Sequence, residues 1–396
     1  MITVESPVRV AVKSRAQRFV VLVGLMSLFA DFTYEGMRGI AGPYLALLGA
    51  SATAVGIVSG LGELLGYGLR VVSGRLSDRT GQFWPITIVG YVVQMTAVPA
   101  LALAGNWPAA ALLIILERVG KAIRNPPRDV MLSHAAKEMG YGWAFGVHEA
   151  LDQLGALLGP LVIGAVLALQ GDYRTALAWL ALPAAATLAV LAVARVLYPR
   201  PDELDTAPLD VRTAGLPRRF WLYLAGAALV AAGFADFPLI AFRFHESGVV
   251  SPPDVPLLYA LAMGASGAAS LVFGRLFDRI GLQILVPLTL VTAAFAPLVF
   301  LGGAGPVVIG VALWGVGMGV HESIIPAAVA TMVPAARRAS AYGLFTAGYG
   351  IAWFAGSVAM GILYDVSFPA MIGLSIAFEL AAIPLLLRVA AQHPSG

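Results

Sequence analysis

Runs of about twenty apolar residues, each long enough to cross roughly 30 Å of hydrocarbon as a helix, recur from one end of this 396-residue chain to the other. The longest polar stretch between them is YPRPDELDTAPLDVRTAGLPRR, residues 198–219, which leaves no room for a sizeable soluble domain. Composition agrees: 12% of residues are charged, where a soluble domain carries about 25%. Inside a bilayer every backbone N–H and C=O must pair within the protein, so only helices or a closed barrel are admissible. The alternating polarity of barrel strands is absent, and the expectation is an all-α membrane protein.

Twelve spans are read near residues 18–48, 52–74, 83–105, 107–132, 140–169, 173–197, 219–245, 255–276, 282–302, 306–332, 338–363 and 367–389. GNWP at 105–108, QGDYR at 170–174, GGAGP at 302–306 and VPAARR at 333–338 punctuate them. The polar stretch divides the chain into a six-helix half at 1–197, a linker at 198–218 and a second half at 219–396. Arg9, Lys13, Arg15 and Arg18 lead into a long span rather than a cleavable signal. Basic residues hold short loops in the cytoplasm. Arg75, Arg79, Lys137, Arg200, Arg212, Arg218, Arg219, Arg275, Arg279, Arg337, Arg338 and Arg388 fall on the side of that first cluster, against Arg174 on the other. Both termini are therefore expected in the cytoplasm, in an inner-membrane protein. The net charge of +3 is an orientation signal rather than a sign of nucleic acid, and the lack of cysteine excludes disulfides.

GRLSDRTG at 74–81 returns as GRLFDRIG at 274–281, each placed in the loop after the second span of its half. FADF at 29–32 and 234–237, and YG at 141–142 and 342–343, echo the same duplication. Parallel repeats around a midplane site are a transporter architecture. Gly74, Asp78, Arg79 and Gly81, with Gly274, Asp278, Arg279 and Gly281, resemble the loop signature of the major facilitator superfamily, although the trailing basic cluster is replaced by Gln82-Phe83-Trp84 and Leu282-Gln283. The resemblance covers the whole chain. It implies twelve helices in two pseudo-symmetric bundles, and a gate in which this signature latches the cytoplasmic side in the outward-open state. GALLGPLVIG at 155–164, with Gly155, Gly159, Pro160 and Gly164, is similar to the glycine-proline motif of the superfamily's antiporters, and such glycines let helices approach closely.

Ionisable side chains inside a bilayer are costly and normally face a cavity or a partner. Here they crowd into the first, fourth, seventh and tenth spans: Asp31, Glu35 and Arg38; Glu117, Arg118, Lys121 and Arg124; Asp236 and Arg243; His321 and Glu322. The resemblance implies that these four spans line the central cavity, and Arg118 resembles a fourth-span arginine linked there to proton coupling. Glu117, Lys121, Arg124 and Arg128 share one helical face, with Glu117 and Lys121 spaced to neutralise each other. Glu63 and Glu379 stand without an evident partner in the second and twelfth spans. Trp314, Tyr34, Phe32, Phe237, Tyr342, Tyr349 and Trp353 are candidate cavity walls or packing anchors.

HEALD at 148–152 sets His148, Glu149 and Asp152 within about one turn, near the zinc-protease pattern with Asp152 in place of the second histidine. No third ligand is fixed, so a proton-accepting cluster is the simpler reading and an intramembrane metalloprotease the enzyme alternative. GVHE at 319–322 admits a divalent-metal or metal-chelate transporter using His148, Glu149, Asp152, His321 and Glu322. No G-x-x-x-x-G-K-[ST] is present, which argues against ATP drive. The expectation is a monomeric secondary transporter, without cofactor or resident metal. It moves a small charged or amphiphilic organic solute by alternating access, coupled to protons, with export favoured.

Overall fold

A computed structural model describes residues 7–136, 141–199, 216–321, 325–333 and 338–391. No strand occurs among them. The helices follow one another as twelve spans. The first comprises Pro7–Arg38 and Ala41–Leu47, the second Ala52–Thr80, the third Phe83–Ala100 with a 3-10 turn to Leu103, the fourth Trp107–Ala136, and the fifth Tyr141–Gln170. The sixth comprises Tyr173–Trp179 and Ala181–Leu197, and the seventh Arg218–Gly233 and Phe237–Ser247. The eighth is Asp254–Ile280, the ninth runs through Leu285–Thr292 and Phe295–Leu301, and the tenth is Ala304–Gly319 with Ile325–Met332. Arg338–Val366 and Phe368–Ala391 complete the set. Ten are long and apolar enough to cross a membrane; the charged fourth and the shorter tenth complete the twelve. Outward-facing side chains such as Val72, Leu103, Leu169 and Val196 are exposed and apolar, as a lipid-facing surface requires.

The two charged octets are not loops. The second span continues as helix to Thr80 and the eighth to Ile280. Each ends on a glycine with positive φ, 66° at Gly81 and 64° at Gly281, whose N–H bonds back to Ser77 O and Phe277 O respectively. Gly81 is a left-handed cap and Gly281 takes a different positive-φ conformation, both open to glycine without strain, and Arg79 and Arg279 in the last turns suit the negative end of the helix dipole. The repeated octet is thus a repeated helix stop.

FADF does not repeat structurally. Residues 29–32 are helical, whereas at 234–236 the seventh span breaks, because Pro238 at the start of its second helix has no N–H to carry the helical ladder back to Phe234. The freed carbonyls are taken up: Ser375 Oγ donates to Gly233 O at 2.6 Å and Trp314 Nε1 to Ala235 O at 2.8 Å. The first span has its own break further along, at Gly39 and Ile40.

Glycines set the closest crossings. A Cβ at Gly155 would collide with Leu28 O, and one at Gly159 with Phe32 O, which brings the fifth span onto the first. Gly164 faces the eighth span instead, with Pro253 and Leu257 against it. Gly90 and Gly120 do the same for the third and fourth spans, each facing the other's carbonyl.

Contacts between the first six spans and the last six gather at the face away from the chain termini. Gly42 lies against Pro238, Gly56 against Ser357 O, and Gly361 against Ala52 and Thr53. Asp365, at the end of the eleventh span, accepts hydrogen bonds from Ala52 N at 3.3 Å, Thr53 N at 2.9 Å and Thr53 Oγ1 at 2.6 Å. Nearby, Arg174 Nη2 donates to Ala104 O at 2.8 Å. The Asp172 carboxyl caps the sixth span, and hydrogen bonds from the Thr175 N–H and hydroxyl hold it below the usual carboxylate range. At the terminus face Arg75, Asp78, Arg79, Arg275 and Arg279 are exposed, and a Cβ at Gly274 or Gly343 would meet no atom of a neighbouring span. The protein is closed on one face.

Candidate functional site

The buried charges form one connected lattice, built mainly on the first, second and fourth spans. Arg38 donates Nη1 to Tyr34 OH at 2.7 Å and Nη2 to Glu63 Oε1 at 3.1 Å. The same Glu63 oxygen accepts from Arg118 Nη2 at 2.7 Å. Glu63, read from sequence as partnerless, is therefore the anion between two guanidinium groups. Across the molecule, Asp236 Oδ1 lies 4.0 Å from Arg38 Nη2. Asp236 is held by Trp353 Nε1 at 3.0 Å and Ser357 Oγ at 2.5 Å, at the break in the seventh span. Glu35 accepts from Tyr259 OH of the eighth span at 2.5 Å.

Glu117 and Lys121 do not pair. Glu117, fully buried, accepts from Gln94 Nε2 at 2.7 Å and lies 3.8 Å from Arg118 Nε. Arg124, equally buried, donates Nε to Gln94 Oε1 at 2.5 Å and Nη1 to Tyr91 OH at 2.9 Å. The close crossing at Gly90 and Gly120 brings Gln94 within reach and turns both side chains toward the third span. The four-residue polar stripe thus divides. Glu117 joins the third span, Lys121 and Arg128 join the first, and Arg124 bridges the two.

Asp31 receives the other side of the lattice, with Lys121 Nζ at 3.8 Å and Arg124 Nη2 at 3.6 Å from its Oδ1. The Lys121 ammonium also sits 3.9 Å from the centre of the Tyr34 ring, and the Arg118 guanidinium 4.9 Å from it. Asp152 of the fifth span reaches the Asp31 carboxyl, and Oδ1 of each has no hydrogen-bond donor within the described residues. The Gly155 and Gly159 crossing makes that approach possible.

His148, Glu149 and Asp152 do not converge. His148 Nε2 pairs with Ser27 Oγ at 2.9 Å, to which Arg128 Nη1 donates at 3.1 Å, while Glu149 is exposed and accepts from Gln153 at 3.0 Å. His321 stands in an aromatic nest, bonded to Tyr349 OH at 2.8 Å, with ring centroids of Phe234 and Trp353 at 4.4 and 5.4 Å. Glu322 lies outside the described residues, as does the Asp278 side chain. Among the described residues no three histidine, aspartate or glutamate side chains gather as a metal site. Arg243 lies near the closed face, where Nε donates to Phe300 O at 3.3 Å and the guanidinium covers the Phe368 ring.

The last six spans contribute a buried aromatic cluster. Phe234, Phe237, Tyr259, Trp314, Tyr349 and Trp353 pack against one another, Phe234 stacked on Trp314 and the other pairs tilted or edge to face, with the Tyr349 ring centroid 5.9 Å from that of Tyr67 of the second span. The result is asymmetric: apart from Asp236, the connected charges lie on the first six spans and the aromatic cluster on the last six.

The sequence model of the Major Facilitator Superfamily matches residues 23–247 and again 222–396. The chain belongs to the major facilitator superfamily. An uncharacterized protein of Mycobacterium tuberculosis is 42% identical over 381 residues, covering 94% of this chain and 93% of that one. Multidrug resistance protein MdtH of Cronobacter sakazakii is 31% identical over 127 residues, 32% of this chain and 31% of its own. The crystal structure of the nucleoside transporter NupG superposes with a TM-score of 0.73 at 13% identity, over 94% of this chain and 98% of that one. That likeness is one of fold. As a member of the superfamily, the protein is a secondary transporter, multi-pass in its membrane, and not an enzyme.

Proposed function

We propose that this superfamily member exchanges protons for a small amphiphilic organic solute bearing a charged group, by alternating access in the cytoplasmic membrane, with export as the working direction. The observation that carries the reading is the split between a buried cluster of paired charges around Tyr34 and a buried cluster of aromatic rings around Trp314 and Trp353. A solute with an ionic group and an apolar body matches both clusters, whereas a neutral sugar carries no charge to exchange with the paired groups. The facing Asp31 and Asp152 carboxyls support proton coupling. Two carboxylates so close repel unless a proton or a cation lies between them, and Lys121 and Arg124 are the cations within reach. Proton loss leaves these carboxylates free to take a solute's cationic group, and proton binding displaces it, so the two ligands exchange at one site. The glycine-proline crossing and the local likeness to MdtH support export. With the termini in the cytoplasm, the arrangement described is inward-facing.

A pH-jump uptake screen in proteoliposomes tests this reading, using aromatic anions, zwitterions and cations beside neutral sugars. Gradient-dependent movement of an amphiphile, with none for sugars, is the expected result. Transport of neutral sugars alone would overturn the reading.

A further inference from the structure

A groove of about 630 Å³ opens on the outer surface at the terminus face, between the start of the first span and the end of the sixth. Arg15 and Arg18 stand at its mouth, one helical turn apart, and Val21, Leu22 and Leu197 line its apolar length. The floor is rigid. Tyr198 donates its hydroxyl to Arg15 O at 3.0 Å, accepts the Trp84 indole N–H at 2.9 Å on its carbonyl, and packs its ring against Phe19 at 5.0 Å. The Arg15 guanidinium lies over that ring at 5.6 Å. Trp84 and Tyr198 are residues of the type that settles at a membrane boundary. Neither arginine forms an ion pair with a described residue, and both are exposed. Val21 is 41% exposed and Leu197 54%.

We propose that this groove is a binding site for an anionic phospholipid of the leaflet that holds the chain termini, its phosphate between Arg15 and Arg18 and one acyl chain along Val21, Leu22 and Leu197. The order of chemistry along the groove, two cations and then an apolar trough running into the membrane, is the order of head and tail in a lipid. A soluble phosphate has no use for the trough, and a zwitterionic headgroup offers no net charge to the arginine pair. The site anchors the first span to the sixth at the end of the bundle remote from the closed face. It lies away from the charge lattice.

Native mass spectrometry of the purified full chain, titrated with dioleoyl-phosphatidylglycerol or dioleoyl-phosphatidylcholine, tests the proposal. The double variant Arg15→Gln/Arg18→Gln should lose roughly thirtyfold in retention of phosphatidylglycerol, since each arginine near a membrane surface contributes about fivefold. Val21→Trp, which fills the trough and leaves the charge intact, should lose the same lipid while keeping its elution volume and thermal midpoint. Inorganic phosphate at millimolar concentration should not displace it. Three results would overturn the proposal: equal retention of both lipids, loss in the charge variant but not in Val21→Trp, or displacement by phosphate. Failure of any lipid to bind until the acidic stretch Asp202, Glu203 and Asp205 is neutralised would do so too, because the chain's own linker would then be the occupant.

Discussion

Asp365 of the eleventh span caps the first turn of the second span through Thr53, accepting from its backbone N–H at 2.9 Å and from its hydroxyl at 2.6 Å. Each of these residues belongs to a different set of six spans, so the cap exists only while that face is closed. A carboxylate at a helix N-terminus satisfies free amides and the positive end of the dipole. Asp365→Ala should therefore favour opening of this face by about 1 kcal/mol, a roughly fivefold change in the ratio of closed to open. Spin labels at the exposed positions Leu47 and Leu301 would report it as a shift toward longer distances, with no native cysteine to remove first. An unchanged distance distribution would argue that the glycine contacts at Gly42 and Gly56 close the face alone.

At the other face, Asp78 and Arg79 are exposed at a helix end and engage no described side chain, so a latch made by the octet belongs to the opposite arrangement. Asp78→Asn should leave the stability of the present arrangement unchanged while raising its share of the population. The readout is the distance between labels at Leu76 and Leu344, which should shift toward the longer, open distribution.

Glu63 is the common acceptor of Arg38 and Arg118. Glu63→Gln leaves two buried guanidinium groups around a neutral amide, and breaking a buried pair in this way costs about 3–5 kcal/mol. The thermal midpoint in detergent should fall by several degrees, and by much less for Glu379→Gln, whose carboxyl meets only the Thr292 hydroxyl, at 3.4 Å, among the described groups. Equal shifts for the two would mean that Glu63 is no keystone.

Gln94 joins Glu117 to Arg124, so Gln94→Leu should strand a buried acceptor and a buried donor at once. A loss of about 1–3 kcal/mol for each stranded group is expected. The double variant Gln94→Leu/Glu117→Gln should be less destabilised than the sum of its parts, and strict additivity in the thermal midpoints would count against a shared network.

The helical class, the span order and the family were legible in the chain because apolar runs and intramembrane charges carry strong penalties that leave few alternatives. The octets were legible as a repeat but not as helix stops, since the sequence marks Gly81 and Gly281 without marking their positive φ. The charge lattice was half legible. Asp31, Arg38, Glu117, Arg118 and Arg124 stand out by cost, yet their partners depend on crossings set by Gly90, Gly120, Gly155 and Gly159, which bring distant spans together. That is why Glu117 reads as the neighbour of Lys121 in sequence and proves to be the neighbour of Gln94. Gln94, an amide alone in an apolar span, was the available signal. Tyr259, which reaches Glu35 from the eighth span, offered none.

The central claim is that the buried acids on the first, fourth and fifth spans bind a proton or the solute's charged group in turn, and proteoliposome transport with an imposed pH gradient tests it most directly. With a solute identified by the pH-jump screen, Asp31→Asn, Asp152→Asn and Glu117→Gln should each lose accumulation driven by the gradient. Each should still exchange external for internal solute without one. Variants that continue to concentrate the solute when the gradient is imposed would contradict the account and make these carboxyls structural.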